Sequence, residues 1–207
     1  MKSEIKTYNF SPLVYAVTRI LITRPLRWIF HMEVAGGGNW PASGPAIIAS
    51  NHASNMDPPL VGLSYYGHIR WMAKVELMKP RPLGWLLMKL GAFPVRRGEA
   101  DREAIRRARE LLDEGCVVGM FPEGTRQRNG KLGEAQPGVG MLALTPGVPV
   151  IPVRIRGSEQ IVRGGRLRRP KVTITVGPPV DLEISGMSKG RAYHEASRRI
   201  MAAIGEL

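Results

Sequence analysis

Short apolar runs alternate with helical segments along most of this 207-residue chain. The clearest helical segment covers residues 101–114, where apolar residues share one face and charged residues the other. Short apolar runs bounded by turn residues are typical of buried strands. Alternating strands and helices predict an α/β fold, a single domain with a largely parallel central sheet flanked by helices. The predicted strands cover residues 45–50, 69–73, 91–98, 116–121, 148–156 and 172–176, and the other predicted helices cover residues 58–66, 82–90, 137–145 and 189–204.

The N-terminal segment is apolar but carries charges. Three arginines interrupt residues 10–30, so no charge-free run approaches the roughly 20 residues needed to span a bilayer, and no convincing cleavage site follows. This pattern favours one helix, or two separated near Pro25, lying in the membrane interface, with a helix packed on the protein's own core as the alternative. Different faces of the segment can satisfy both. We therefore predict an amphipathic, helical, membrane-associating segment over residues 1–32, followed by the single α/β domain over residues 33–207.

The formal net charge of +13 predicts anionic partners. Acidic lipid headgroups, phosphorylated substrates, an acidic carrier protein and nucleic acid all satisfy this condition. Nucleic acid is disfavoured, because the sequence carries no nucleic-acid-binding signature and few aromatic residues lie among its basic runs. The basic stretch over residues 163–171 could contact anionic lipid or an acyl-carrier protein, or could be an ordinary solvated hairpin.

Cysteine and histidine usage argues against a metal centre. The single cysteine, Cys116, excludes an intrachain disulfide, and its apolar surroundings predict a buried structural thiol. The four histidines are scattered and form no HExxH pattern, so we expect no protein-held metal. This composition agrees with a cytoplasmic setting.

A histidine and an aspartate follow the first predicted strand. His52 comes directly after residues 45–50, and Asp57 is a good helix N-cap with Pro58 at the first helical position. In α/β sheets, ligand sites lie at the C-terminal ends of the strands. An imidazole whose tautomer is fixed by a carboxylate is suited to act as a general base. The alternative is a capping aspartate beside an unrelated surface histidine.

Two further polar groups follow later strands. Arg96 and Arg97 end one of them, and residues 123–126 (Glu-Gly-Thr-Arg) follow another. Because the C-terminal ends of parallel strands share one edge, we expect these groups and His52 to face a common cleft. A base beside arginines suits deprotonation of a hydroxyl on a phosphate-bearing molecule. Arg96 could equally be a solvated surface charge.

Four motifs in order resemble those of the PlsC-type glycerolipid acyltransferases, the family of 1-acylglycerol-3-phosphate acyltransferases. They are NHxxxxD at residues 51–57, GAFPVRR at 91–97, FPEGTR at 121–126 and an apolar stretch with spaced prolines at 148–153. Lys74 and Glu76 resemble the family's Lys-x-Glu-Leu element. The resemblance covers about residues 12–180. One departure is Gln136-Pro137 before Gly138, where the family usually has a phenylalanine-lysine pair.

The resemblance implies a reaction. The sn-2 hydroxyl of a lysophosphatidic acid attacks the thioester of an acyl-CoA or acyl-carrier protein directly, giving phosphatidic acid without an acyl-enzyme and without a bound cofactor. His52 is then the general base, and Asp57 orients it and stabilises the imidazolium. In the acceptor site Arg97 and Arg126 hold phosphate, Gly124 lets the backbone approach, and Glu123 binds the glycerol part or braces an arginine. The expected acceptor-site residues are Arg97, Glu123, Gly124, Thr125, Arg126 and Arg96. Lys74 is a second-tier candidate, and the alternative is that it only forms a salt bridge with Glu76.

Other functions remain as alternatives. The same chemistry could act on glycerol 3-phosphate, another lysophospholipid or a glycolipid, or the chain could be a membrane-surface or acidic-protein binding module. A serine hydrolase is disfavoured, because no G-x-S-x-G elbow surrounds Ser54. The resemblance and the N-terminal segment together predict a peripheral or monotopic protein on the cytoplasmic face of the cell membrane.

Overall fold

The computed structural model describes residues 10–95, 102–145 and 147–207. Helices and strands alternate as the apolar pattern predicts, with bounds that differ from the predicted ones by a few residues. The helices are α1 (Pro12–Ile29), α2 (Asp57–Ser64), α3 (Arg81–Lys89), α4 (Arg102–Asp113), α5 (Pro137–Ala143) and α6 (Lys189–Glu206). The strands are β1 (Glu33–Ala35), β2 (Ala46–Ser50), β3 (Ile69–Lys74), β4 (Phe93–Val95), β5 (Val117–Met120), β6 (Val150–Arg156), β7 (Val162–Arg163), β8 (Arg166–Leu167) and β9 (Thr173–Val176).

Seven strands form one sheet in the order β1-β9-β6-β2-β5-β3-β4. Strands β2 to β6 run parallel to one another, β9 is antiparallel to β6, and β1 is parallel to β9. This arrangement confirms the predicted α/β fold with a largely parallel sheet. The register pairs Glu33 with Thr173 and Thr173 with Arg156, so β1 begins at the edge of the sheet where β2 ends.

Helices cover both faces of the sheet, and each face has its own core. On one face, Leu60 of α2 packs with Trp71, Phe121 and Ile155, and with Phe30, which follows α1. On the other face, helices α4, α5 and α6 pack on the sheet through the apolar side chains Ala108, Leu111, Leu112, Val139, Leu142, Ile200 and Ile204. The candidate site lies between these layers, at the C-terminal ends of the parallel strands.

Helix α1 is continuous through Pro25, so the alternative of two separate helices is wrong. Ser11 caps it, with the hydroxyl oxygen accepting the Val14 N–H, and Leu26 and Ile29 pack against the core. Large apolar side chains elsewhere on α1 are exposed: Leu13, Val17, Ile20, Leu21, Ile22 and Trp28. The helix therefore has both a core-facing and a solvent-facing apolar surface. The proposed division at residues 32 and 33 stays a prediction.

Among the residues that the structure describes, no helix combines the length and the apolar character that crossing a bilayer requires.

Cys116 differs in detail from its prediction. It lies just before β5 and is only partly buried, although it does pack against the second core. Since Val117 pairs with Ala46, Cys116 lies at the end of the sheet opposite to Ser50. This position separates the thiol from the candidate site.

Candidate active site

His52 and Asp57 form a hydrogen-bonded pair in the loop between β2 and α2. His52 Nδ1 lies 2.9 Å from Asp57 Oδ2, and both side chains are buried. An ionised carboxylate can only accept hydrogen bonds, so Nδ1 carries the proton and the free lone pair of the ring is on Nε2. A neutral imidazole in this tautomer is able to take a proton from a substrate through Nε2.

Asp57 is held by the loop that precedes it. Its Oδ2 atom also accepts the backbone N–H groups of Ala53 and Ser54, at 2.6 and 2.7 Å. Asp57 is the first residue of α2, and Met56 occupies the cap position, so the prediction that Asp57 is the N-cap is wrong. The carboxylate reaches back toward the loop because the N–H groups of Ala53 and Ser54 there are close enough to donate to it. The loop conformation therefore fixes the carboxylate, and the carboxylate fixes the imidazole.

Asn51 ties the same loop to strand β6. Its side-chain Nδ2 donates to the Ile155 carbonyl at 2.9 Å, and its Oδ1 accepts the Ile155 N–H at 2.8 Å. The side chain thus replaces one rung of the backbone ladder where β2 ends and β6 continues. Both bonds are buried, so the loop is anchored to the sheet one residue before His52.

Glu123 braces the loop from the other side. Its Oε2 accepts the His52 N–H at 2.7 Å, its Oε1 accepts the Gly133 N–H at 2.9 Å, and the side chain is only 2% exposed. Burial raises the pKa of the Glu123 carboxyl, and the two amide donors partly offset this. The Gln127 N–H donates to the His52 carbonyl at 2.7 Å, so the segment after β5 holds both backbone groups of His52.

Aromatic rings support the imidazole. The Phe121 ring stacks on His52 with centroids 4.0 Å apart, and the Trp71 ring stacks on Phe121 at 4.9 Å. Phe121 directly follows β5, and Trp71 lies within the neighbouring strand β3, where it pairs with Gly119. Stacking limits rotation of the imidazole about its hydrogen bond to Asp57, so the ring plane is fixed as well as the tautomer.

The predicted acceptor residues are only partly assembled. Arg126 is half-buried, and its Nη1 donates to Asn55 Oδ1 at 2.7 Å, which places the guanidinium beside the loop that carries His52 and Asp57. Gly124 adopts a left-handed φ of 66°, which glycine accepts without strain, and the neighbouring Thr125 is exposed. Lys74 pairs with Glu76 at 3.5 Å on the surface. Arg96 and Arg97 lie outside the described residues.

Sequence reasoning missed the residues that hold the pair in place. Asn51 belongs to the NHxxxxD motif, but the sequence indicates no role for it. The stacking of Phe121 and Trp71 on His52 leaves no periodic pattern in the sequence from which it could be predicted. The Ser54 backbone contributes to the site through its N–H, whereas its hydroxyl oxygen accepts the Met56 N–H at 3.2 Å.

Within the described ranges, no group of three or more histidine, cysteine, aspartate or glutamate side chains is placed to hold a metal ion. The expectation of a metal-free site stays a prediction.

Comparison with known proteins gives a consistent picture. Residues 31–156 match the model of the family described as Acyltransferase. A 1-acyl-sn-glycerol-3-phosphate acyltransferase of Pseudomonas aeruginosa is 28% identical over 203 residues, which cover 96% of this chain and 77% of that protein. The enzyme of the same name from Bacillus subtilis is 31% identical over 151 residues, 72% of this chain and 73% of that protein.

Solved structures and longer relatives extend the comparison. The crystal structure of the 1-acyl-sn-glycerophosphate (LPA) acyltransferase PlsC from Thermotoga maritima matches with a TM-score of 0.69 and 27% identity, covering 92% of this chain and 81% of that one. The chain spans only 45% and 44% of the chloroplast 1-acyl-sn-glycerol-3-phosphate acyltransferases of Brassica napus and Arabidopsis thaliana, to which it is 29% identical.

Proposed function

The chain belongs to the acyltransferase family, and from that premise we propose that it transfers a fatty acyl group to the sn-2 hydroxyl of 1-acylglycerol 3-phosphate, giving phosphatidic acid. The donor is a thioester, either acyl-CoA or acyl-carrier protein. The observation that carries the proposal is the 2.9 Å contact between His52 Nδ1 and Asp57 Oδ2 at the C-terminal ends of the parallel strands. The names of the relatives from Pseudomonas aeruginosa and Bacillus subtilis support the choice of acceptor.

In the proposed mechanism His52 acts as a general base and then as a general acid. The acceptor hydroxyl oxygen attacks the thioester carbonyl carbon while His52 Nε2 takes the hydroxyl proton. Asp57, which keeps its charge, stabilises the imidazolium that forms. The tetrahedral intermediate then collapses and breaks the carbon–sulfur bond, and the imidazolium returns the proton to the leaving thiolate. The acyl group passes directly between substrates, with no acyl-enzyme.

The acceptor phosphate is bound by cations around this loop. Arg126 lies beside the loop, since its Nη1 donates to Asn55, three residues after His52. Arginine holds phosphate in a fixed geometry through paired N–H donors. Arg97 is proposed as a second phosphate ligand and Arg96 as a third, and Lys74, at the end of β3, can exchange its pairing with Glu76 for the phosphate.

We place the protein at the cytoplasmic membrane surface as a peripheral or monotopic enzyme. The exposed apolar side chains of α1 lie beside Arg19, Arg24 and Arg27, a combination typical of helices that lie in the interface. A lysophosphatidic acid is itself an amphiphile, so an enzyme held at the surface has direct access to its acceptor.

Acyl transfer by the purified protein and by His52→Ala tests the proposal. Labelled palmitoyl-CoA and palmitoyl-carrier protein are offered against lysophosphatidic acid, glycerol 3-phosphate and lysophosphatidylcholine. We expect phosphatidic acid from lysophosphatidic acid and a fall in kcat of about 10² to 10⁴ in the variant, the usual contribution of a positioned general base. His194→Ala is the matched control, because His194 is exposed on α6, a helix of the opposite sheet face.

Each other outcome has a defined meaning. Transfer to a different acceptor that still depends on His52 keeps the mechanism and changes the substrate. Intact vesicle binding without transfer to any acceptor favours a binding module. A covalent acyl adduct on a serine or cysteine contradicts direct transfer.

A further inference from the structure

The basic stretch after β6 is a protruding hairpin with apolar side chains. Strands β7 and β8 pair through Val162 with Leu167 and Arg163 with Arg166, around a Gly-Gly turn. Val162 is 61% exposed and Leu167 is 75% exposed. Arg168 and Arg169 follow directly and are also exposed.

This hairpin is anchored at its base. The Arg168 N–H donates to the carbonyl of Ile161 at 2.7 Å, and Ile161 is buried in the core that also contains Phe121 and Trp71. The two-residue strands therefore project from a fixed base, and their exposed apolar side chains have no packing role in the domain.

The hairpin lies at the same edge of the sheet as the candidate site. Strand β6 runs parallel to β2, with Val153 opposite Ser50 and Ile155 bonded to Asn51, and the chain enters the hairpin six residues after Arg156. The turn that precedes the hairpin carries Glu159, whose side chain approaches Gly130 in the segment after the Glu-Gly-Thr-Arg motif.

The end of α1 reaches the same corner of the molecule. The Val172 N–H donates to the carbonyl of Phe30, and Lys171 pairs with Glu33 at 2.7 Å. Arg27 and Arg156 line one surface depression. Trp28, in the last turn of α1, is 74% exposed.

We propose that the hairpin and the last turns of α1 form one contact surface for an anionic lipid bilayer. This bilayer-contact surface comprises Val162, Arg163, Arg166, Leu167, Arg168 and Arg169 of the hairpin, and Arg24, Arg27 and Trp28 of α1. Its six arginines make this surface strongly positive, and the nearby carboxylate of Glu33 is already paired with Lys171. Anionic headgroups complement the arginines, while Val162, Leu167 and Trp28 enter the apolar boundary below them.

A projecting hairpin with apolar tips suits a deformable bilayer better than the surface of an acidic protein. Val162 and Leu167 are exposed on paired strands of two residues each, which are too short to form a groove for a protein helix. Two separate anchors, the hairpin and α1, also set the tilt of the domain, and they direct the edge that carries His52 toward the bilayer. That orienting role rests on the proposed function, whereas binding to the bilayer does not.

Vesicle binding by two matched variants of the full chain tests the surface. The first variant replaces Arg163, Arg166 and Arg168 with serine, and the control replaces Arg102, Arg109 and Arg191, exposed on α4 and α6, with serine. Each lowers the net charge of +13 by three. Each basic residue near an anionic surface is worth about fivefold in binding. We therefore expect the hairpin variant to bind vesicles containing phosphatidylglycerol on the order of 10- to 100-fold more weakly, with a much smaller loss in the control.

The difference between the variants should shrink at high salt and vanish on pure phosphatidylcholine vesicles, because salt screens exposed charges. Equal losses in both variants overturn the proposal, since net charge alone would then explain binding. Unchanged vesicle binding with weakened binding to an acyl-carrier protein also overturns it and assigns the hairpin to that protein. Unchanged urea midpoints verify that both variants fold.

A fluorescent probe tests insertion independently of charge. Leu167→Cys in a Cys116→Ser background is labelled with a polarity-sensitive fluorophore, and Arg109→Cys serves as the control site. We expect the emission at Leu167 to shift to shorter wavelength on anionic vesicles and that at Arg109 to stay unchanged. An unshifted probe at Leu167 on vesicle-bound protein contradicts the proposal. Both readouts measure binding, so they hold whether or not acyl transfer is found.

Discussion

Replacing Glu123 with glutamine separates two roles for this residue, bracing the catalytic loop and binding the acceptor. Each carboxylate oxygen of Glu123 accepts one backbone N–H, from His52 at 2.7 Å and from Gly133 at 2.9 Å. Glutamine has the same shape, but its NH₂ group can only donate. One of the two amide donors must therefore face another donor inside the protein.

The expected loss of stability follows from these contacts. A hydrogen bond to a charged group contributes about 1.5–3 kcal/mol, and a buried donor left without a partner costs about 1–3 kcal/mol. Removal of the buried charge offsets part of this, because burial already raises the pKa of the Glu123 carboxyl. We expect Glu123→Gln to lower the free energy of unfolding by about 2 kcal/mol, which lowers Tm by about 4–8 °C in a domain of this size.

The kinetic consequence follows from the position of His52. If Glu123 holds the His52 backbone, its replacement displaces the imidazole, and small misplacements of a catalytic group cost up to about 100-fold in rate. We expect kcat to fall by about 10- to 100-fold, with the KM for lysophosphatidic acid nearly unchanged. Urea unfolding and steady-state kinetics on the same preparation provide both numbers.

Glu134→Gln is the control for Glu123→Gln, because Glu134 is exposed on the same connection and loses the same charge. The bracing role is refuted if Glu123→Gln leaves stability and kcat unchanged and raises KM strongly. That result would assign Glu123 to the glycerol part of the acceptor, as the family resemblance allows.

Two further predictions concern helix packing and pH. A Cβ on Gly140 of α5 would overlap the Tyr193 carbonyl of α6, so we expect Gly140→Ala to lower the free energy of unfolding by about 1–3 kcal/mol. The control is Gly138→Ala, whose Cβ would meet only Ile105 Cδ1 at 3.7 Å and should change the free energy of unfolding by far less. Equal urea midpoints for the two variants would contradict this prediction. Burial, and then the charges of Arg70 and Arg19, lower the pKa of His68 in the folded protein below 6.5. Between the folded and the unfolded pKa of His68 the unfolded chain binds more protons, so stability falls as pH drops through that interval. Urea unfolding from about pH 7.5 to about pH 5.5 should show a larger loss for the wild type than for His68→Phe, and parallel losses would contradict the assignment.

The inner strands β2 and β5 of the central sheet could be predicted because they are buried on both faces. Strand β2 is buried at all five positions, and an uninterrupted apolar run is the signal of such a strand. Strand β1 could not be predicted in the same way. It has three residues at the edge of the sheet, with Glu33 and Ala35 exposed, so it carries no apolar run.

The pairing of His52 with Asp57 could be predicted from local sequence, whereas the residues that support the pair could not. His52 and Asp57 are five residues apart, so the loop alone brings them together. Glu123 and Asn51 reach partners 71 and 104 residues away, and such contacts depend on strand order, which the apolar pattern leaves open. The error at Asp57 has a local cause instead: the sequence indicated a helix cap, but the amides of Ala53 and Ser54 in the preceding loop donate to the carboxylate.

The reversed edge of the sheet explains how an N-terminal helix can reach a site formed by later strands. If β1 ran parallel to β2, α1 would end at the edge where Ala46 and Val117 lie, far from His52. Because β9 runs antiparallel to β6 and β1 runs parallel to β9, Glu33 lies level with Arg156 instead. The short antiparallel edge thus brings the exposed end of α1, the hairpin and the loop of His52 and Asp57 to one side of the molecule. This arrangement suits the proposed transfer to an acceptor held in a bilayer, since apolar anchors at the opposite edge would direct His52 away from the lipid.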